Sequence, residues 1–214
     1  MPDPFGPAEL AAAANVSRET LRRLEAYVAL LVEWNARQNM VSKSSLEDVW
    51  RRHVWDSAQL APLLPNSLKT LIDLGSGAGF PALVLALLRP DIKVSLTEAK
   101  TKKCRFLAEA ARALQVEVDI RNTRIEAGQR EGFDAVTARA CAPLDFLLTY
   151  ASRFQKPDTV NLFLKGQYVE AELKEATKSW KIEVLKHPSQ SGPGTILEIR
   201  KLAHVQPGRP LGTA

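Results

Sequence analysis

The sequence predicts an α/β protein: a mostly parallel seven-stranded sheet ending in an antiparallel strand, helices on both faces, and an N-terminal helical extension. Three observations predict it. From residue 70 onward, short apolar runs suited to strands alternate with amphipathic stretches suited to helices. The first of these junctions is glycine-rich, Leu71-Ile72-Asp73-Leu74-Gly75-Ser76-Gly77-Ala78-Gly79-Phe80. The last two strands are joined by Pro188-Ser189-Gln190-Ser191-Gly192-Pro193-Gly194, too short for a crossover helix, so they must pair antiparallel.

The chain divides into a helical extension over 1–65, a main domain over 66–203 and a loosely ordered tail over 204–214, rich in proline and glycine. Leu21, Leu24, Val28, Leu31 and Trp34 recur at helical spacing and predict a helix over 17–40 capped by Ser17. A second helix is expected over 46–60, with Ser45 and Asp48 at capping-box spacing and Pro62 and Pro65 ending it. Strand 70–74 then runs through the glycines into helix 80–89, which Pro90 closes because proline cannot continue the hydrogen-bond ladder. Strand 92–97, helix 101–114, strand 116–121, strand 133–138, helix 143–153, strand 159–164 and a helix near 169–178 follow. Strands 181–186 and 195–201 form the closing pair, and ligands are expected beyond the carboxyl ends of the parallel strands.

With 214 residues, 45% of them hydrophobic, the chain can build one core with an appendage. Met1 to Leu10 lacks a basic start followed by an apolar run, and the apolar stretch Leu83 to Leu88 is too short to span a bilayer. Cys104 and Cys141 are far apart, as are His53, His187 and His204, so no metal site is expected and the thiols should be reduced. The expectation is a cytoplasmic monomer without membrane contact. Lys plus Arg exceed Asp plus Glu by 29 to 24, a net charge of +5. The basic residues cluster as Arg51-Arg52-His53, as Lys100, Lys102, Lys103 and Arg105, and as Arg121, Arg124 and Arg130. The last two groups leave strand ends on the expected ligand side, where they would form a rim for phosphates.

The glycine spacing narrows the ligand. A dinucleotide-binding turn wants its last glycine where this chain has Phe80, and here the third glycine comes one residue earlier. This form resembles that of S-adenosylmethionine (SAM) methyltransferases, whose loop faces a methionine and an adenosine. Glu98, about 20 residues beyond Gly75 at the end of the second strand, is placed to accept hydrogen bonds from ribose hydroxyls.

Beyond the loop, the chain resembles the bacterial 16S rRNA guanine-N7 methyltransferase family G, once called glucose-inhibited division protein B. The resemblance is carried by Trp34-Asn35-Ala36-Arg37-Gln38-Asn39, Arg52-His53-Val54-Trp55-Asp56-Ser57, Asp73 to Pro81, Arg105-Phe106-Leu107, Arg124-Ile125-Glu126, Ala138-Arg139-Ala140 and Leu164-Lys165-Gly166-Gln167. It implies a Rossmann-like SAM-dependent methyltransferase fold. It also implies SAM contacts at Gly75, Gly77, Gly79 and Phe80, ribose binding at Glu98, adenine contacts at Ile125 and Glu126, and Arg139 at the methionine end or the guanine pocket. The implied partner is 16S rRNA or the small ribosomal subunit, methylated at the guanine at position 527 in the usual rRNA numbering.

The residues after the fourth strand support an N7 acceptor independently. Amine-directed enzymes place Asn/Asp-Pro-Pro-aromatic there, and this chain has Ala138-Arg139-Ala140-Cys141. Guanine N7 already carries an in-plane lone pair, so transfer needs chiefly alignment and no general base. Arg139 and Lys165 would then position substrate phosphate or the guanine acceptor edge. Cys141 is either a small apolar filler or the nucleophile of a cytosine-C5 enzyme, although Ala140 stands where such enzymes keep a proline. A small-molecule methyltransferase on the same fold and a noncatalytic ribosome-binding protein remain the alternatives; the intact glycines and Glu98 argue against the second.

Overall fold

A computed structural model describes residues 5–139 and 141–205 of the chain. Its seven strands are β1 (Thr70–Leu74), β2 (Lys93–Thr97), β3 (Val118–Arg121), β4 (Phe133–Arg139), β5 (Gln155–Lys165), β6 (Trp180–Pro188) and β7 (Thr195–His204). They form one sheet in the order β3-β2-β1-β4-β5-β7-β6. β1 to β5 pair in parallel, and β7 lies antiparallel between β5 and β6. The order reverses between β1 and β4, which opens a crevice at their carboxyl ends.

The helices are α1 (Pro7–Ala14), α2 (Arg18–Arg37), α3 (Lys43–Leu46), α4 (Asp56–Ala58), α5 (Ala82–Leu88), α6 (Thr101–Leu114), α7 (Leu144–Ala151) and α8 (Val169–Ala176). Alternation along the strands sorts the core into two halves. Leu71, Val94, Leu96, Val160 and Leu162 face α2, α5 and α6, whereas Ile72, Leu74, Val136 and Phe163 face α7 and α8. Among the described residues, no helix is long and apolar enough to cross a membrane.

Ser17 caps α2 as the sequence predicts, its hydroxyl accepting from the Thr20 amide at 3.0 Å. The second expected helix differs. Ser42, not Ser45, is the cap, accepting from the Ser45 amide at 3.2 Å, while Ser45 lies inside α3 and donates to the Ser42 carbonyl. A π-helical segment, Trp50–Trp55, then leads into α4, and His53, Val54 and Trp55 are buried in succession. Packing encloses this segment on several sides, so no single apolar stripe announces its winding.

Three further differences are local. α1 is not expected from the sequence; the alanines that form it carry no periodic signal, and it meets the core through buried Leu10 and half-buried Ala14. β5 begins at Gln155 rather than 159, because a register shift absorbs Pro157, which no regular ladder position would hold. His204, assigned to the tail, is the last residue of β7, with its ring edge-on to Trp180 at 4.6 Å. Val205, also assigned to the tail, donates its amide to the Ser179 carbonyl at 2.8 Å, and 206–214 lie outside the described residues.

Candidate functional site

Gly75, Gly77 and Gly79 have φ of +66°, +57° and +92°, the left-handed region that side chains resist. The geometry gives each a different reason. A Cβ on Gly75 would stand 2.5 Å from Cys141 Sγ, and one on Gly79 would stand 2.5 Å from a Leu83 methyl. A Cβ on Gly77 would meet nothing nearer than Lys103 Nζ at 3.7 Å. The loop amides turn inward: Gly75 N–H donates to Thr97 Oγ1, Ser76 N–H to the Thr97 carbonyl, and Gly77 N–H to Glu98 Oε2 at 3.0 Å. A loop whose amides are already engaged offers no cradle for a pyrophosphate, in accord with the glycine spacing.

Glu98 follows β2 directly, and its other oxygen accepts from the Lys100 amide at 2.7 Å, so the carboxylate ties the loop to the start of α6. Each oxygen keeps a lone pair for a further donor. Ile125 lies beyond Cys141, its methyl 4.0 Å from the position of a Gly75 Cβ. Glu126 is exposed and hydrogen-bonded to Tyr150; its pKa is lowered, first by its own backbone amide.

Two residues at the root of the loop were not singled out from the sequence. Tyr27 of α2 is fully buried between Phe80 and Phe106, and its hydroxyl donates to the Ala78 carbonyl at 2.5 Å. Its place three residues after Leu24 and four before Leu31 is the signal that could have found it. Asp73 accepts from the Thr137 hydroxyl at 2.7 Å, while its Oδ2 is buried without a partner among the described residues.

On the other side of the loop, the π-helical segment lays the His53 ring on Phe80, with centroids 4.9 Å apart. Arg139, at the end of β4, stands over the same ring at 5.2 Å. Its guanidinium donates to His53 Nδ1 at 2.5 Å, to the Arg52 carbonyl at 2.8 Å and to Asp56 Oδ2 at 3.4 Å. Beyond this group opens a cleft of about 580 Å³, lined by Arg52, His53, Asp56 and Arg139, by 164–167, and by the tip of the β6–β7 hairpin. A larger cleft, about 860 Å³, lies at the amino ends of the strands beside Thr70 and Lys93, away from the loop.

Lys165 borders the 580 Å³ cleft, yet its ammonium is held at 2.6 Å by Glu172 and at 3.0 Å by the Ala142 carbonyl. Glu172 also accepts from the Leu144 amide, so this pair clamps α7 to α8. The basic clusters divide similarly. Arg121 is paired with Asp119 and Glu131, Arg51 sits over the Phe5 ring, and His53 is buried. Lys100, Lys102, Arg105, Arg124 and Arg130 are exposed, and Lys103 is half-buried with its Nζ beside Gly77.

Burial governs the titrations. It pushes the Asp73 carboxyl up to about 7 and, aided by the Arg139 charge, the His53 imidazole down to about 3. Folded Asp73 holds a proton that the unfolded chain releases, so its contribution to stability declines as pH rises from about 4 to about 7. Folded His53 refuses a proton that the unfolded chain takes, so its contribution declines as pH falls from 6.5 to about 3. The two slopes oppose each other between about pH 4 and 6.5. Thermal melts of Asp73→Asn should therefore show the melting temperature falling more steeply with acidification across that window than in the parent; parallel profiles would refute the assignment.

Comparisons with known proteins agree with this geometry. A model of the family described as rRNA small subunit methyltransferase G (GidB) matches residues 20–195. The ribosomal RNA small subunit methyltransferase G of Rhodospirillum rubrum is 48% identical over 197 residues, covering 92% of this chain and 98% of that one. Its counterpart in Parvibaculum lavamentivorans is 47% identical over 205 residues, covering 93% and 90%. Among solved structures, the mitomycin 7-O-methyltransferase MmcR is similar with a TM-score of 0.57 at 16% identity, covering 94% of this chain and 74% of that one. MtNAS in complex with S-adenosylmethionine gives a TM-score of 0.54 at 14% identity, covering 94% and 85%. These structures share the fold, and the sequence matches supply the closer kinship: the chain belongs to the rRNA small subunit methyltransferase G family.

Proposed function

We propose that this chain methylates the N7 of a guanine in 16S rRNA, at position 527 in the usual numbering, using S-adenosylmethionine. The names of its relatives support the rRNA substrate, and the cofactor in MtNAS supports SAM on this fold. The observation that carries the acceptor chemistry is the state of Cys141 beside Gly75 and of His53 beside Arg139. Burial pushes the Cys141 thiol up to about 11, and His53 is a weak base whose Nδ1 already accepts from Arg139. Cys141 therefore offers no ready thiolate for attack at a pyrimidine C5, and His53 no ready proton acceptor. Guanine N7 requires neither, since its lone pair lies in the ring plane and needs only alignment.

The residues fit the cofactor. SAM supplies the transferable methyl on its sulfonium. Gly75, Gly77, Gly79 and Phe80 would lie along it, Glu98 would accept from the ribose hydroxyls with its remaining lone pairs, and Ile125 and Glu126 would border the adenine. The Asp73 carboxyl, at the root of the loop with Oδ2 unpartnered among the described residues, would accept from the ammonium of the methionine end once ionised. Arg139 would position the guanine; Lys165, bound to Glu172, would do so by fixing the cleft wall. The chain would act as a monomer in the cytoplasm, on naked rRNA or on the small subunit, without a metal.

Mapping N7-methylguanine in rRNA from cells with and without this protein tests the reading. One small-subunit site should disappear, and an unchanged map would overturn it. Cys141→Ser should keep most methyl transfer in vitro. Loss of activity with folding and SAM affinity intact would favour the C5 mechanism instead.

A further inference from the structure

The tip of the β6–β7 hairpin reaches past the sheet and lines the cleft opposite Arg139. It closes on itself through the Ser189 amide and the Gly194 carbonyl at 3.0 Å. A Cβ on Gly194 would stand 2.8 Å from the Lys165 carbonyl, so the tip sits directly on the end of β5. Its side-chain ties run to α4 and the residue that caps it. Ser191 Oγ donates to Asp56 Oδ1 at 2.6 Å, Gln59 Nε2 donates to Ser189 Oγ at 3.0 Å, and the Gln190 amide donates to Gln59 Oε1 at 2.9 Å.

Asp56 therefore has one oxygen on each wall. Oδ1 faces Ser191 and Gln59, and Oδ2 faces Arg139. Among the described residues, Asp56 is the one carboxylate in ion-pair distance of the Arg139 guanidinium, which a largely buried cation needs. A hairpin tip held only for stability could rest on apolar side chains. Here it rests on the counterion of the arginine that stands over Phe80, so a shift of the tip reaches Arg139 through a single side chain.

We propose that Asp56 is a positioning residue that sets the two walls of the acceptor cleft against each other, and that the tip around Ser191 is the wall that closes on the acceptor nucleotide. This rests on reading the cleft as the acceptor site. Asp56 acts through Arg139 and Ser191 and needs no contact with the cofactor.

The test uses the full chain, steady-state methylation of small-subunit rRNA lacking the modification, and SAM affinity by calorimetry. Asp56→Asn keeps the shape and removes the charge; kcat should fall by about 30-fold or more, with the SAM Kd within about twofold. Ser191→Ala removes the shortest tie between Asp56 and the tip, leaving the 3.4 Å bond from Ser189 and the Gln59 contacts, and should raise the KM for rRNA by about 3- to 10-fold while kcat and SAM affinity hold. Should Asp56→Asn fail to fold, Ser191→Ala decides alone. Variants with parental kcat and KM, or a loss of SAM affinity matching the loss of rate, would overturn the inference while leaving the methyltransferase reading intact. A parent protein that leaves the rRNA unmethylated would overturn that reading instead.

Discussion

Arg139→Met should lose methyl transfer by about 100-fold or more, the scale seen when a preorganised charged donor is removed from an active site. The same substitution should lower stability, because it strands Asp56 without its cation and His53 Nδ1 without its donor. Breaking one partner of a buried pair costs about 3–5 kcal/mol. In a chain of this length that corresponds to a melting temperature lower by about 6–20 °C, short of unfolding at working temperature. Arg139→Lys keeps a charge but cannot reach His53, Asp56 and the Arg52 carbonyl together, so it should recover part of the stability and little of the rate. Thermal melts and single-turnover assays on the two variants check this, and an R139M protein with parental rate would remove Arg139 from the acceptor site.

Gly75→Ala should abolish SAM binding, and the structure says why this glycine is more sensitive than Gly77. At φ +66° a side chain costs about 1–2 kcal/mol wherever it points. Here it also points at Cys141 Sγ, 2.5 Å away, so the Cys141 side chain must give way. Gly77→Ala carries the conformational cost without a collision inside the protein, its Cβ lying beside Lys103, and should weaken SAM about 5-fold or more. Adding Cys141→Ala to Gly75→Ala removes the sulfur and leaves two methyl groups 3.4 Å apart, a tight but tolerable contact. Calorimetry on the double variant should find binding restored toward the Gly77→Ala level. No recovery would mean that the collision with Cys141 is not what the glycine avoids.

Most of the fold was legible in the sequence because its strands and longer helices obey simple periods. Helix 101–114 and strand 70–74 match residue for residue, since α6 has one apolar stripe facing the sheet and β1 runs straight into its glycines. The glycine loop and the acidic end of β2 were readable for the same reason: conformation there is set by residues adjacent in the chain.

What the sequence alone could not decide is wherever burial surrounds an element or distant segments meet. The π-helical winding of 50–55 leaves no periodic trace, yet it places His53 on Phe80 and Asp56 beside Arg139. The pairing of Lys165 with Glu172, and of Arg121 with Asp119 and Glu131, removes cations that the sequence offers to phosphate. The unpartnered oxygen of Asp73 and the collapsed basicity of His53 likewise come from desolvation. Period and spacing are properties of neighbours along the chain, whereas charge state and partner choice depend on which distant groups exclude water from them, and that only the tertiary structure decides.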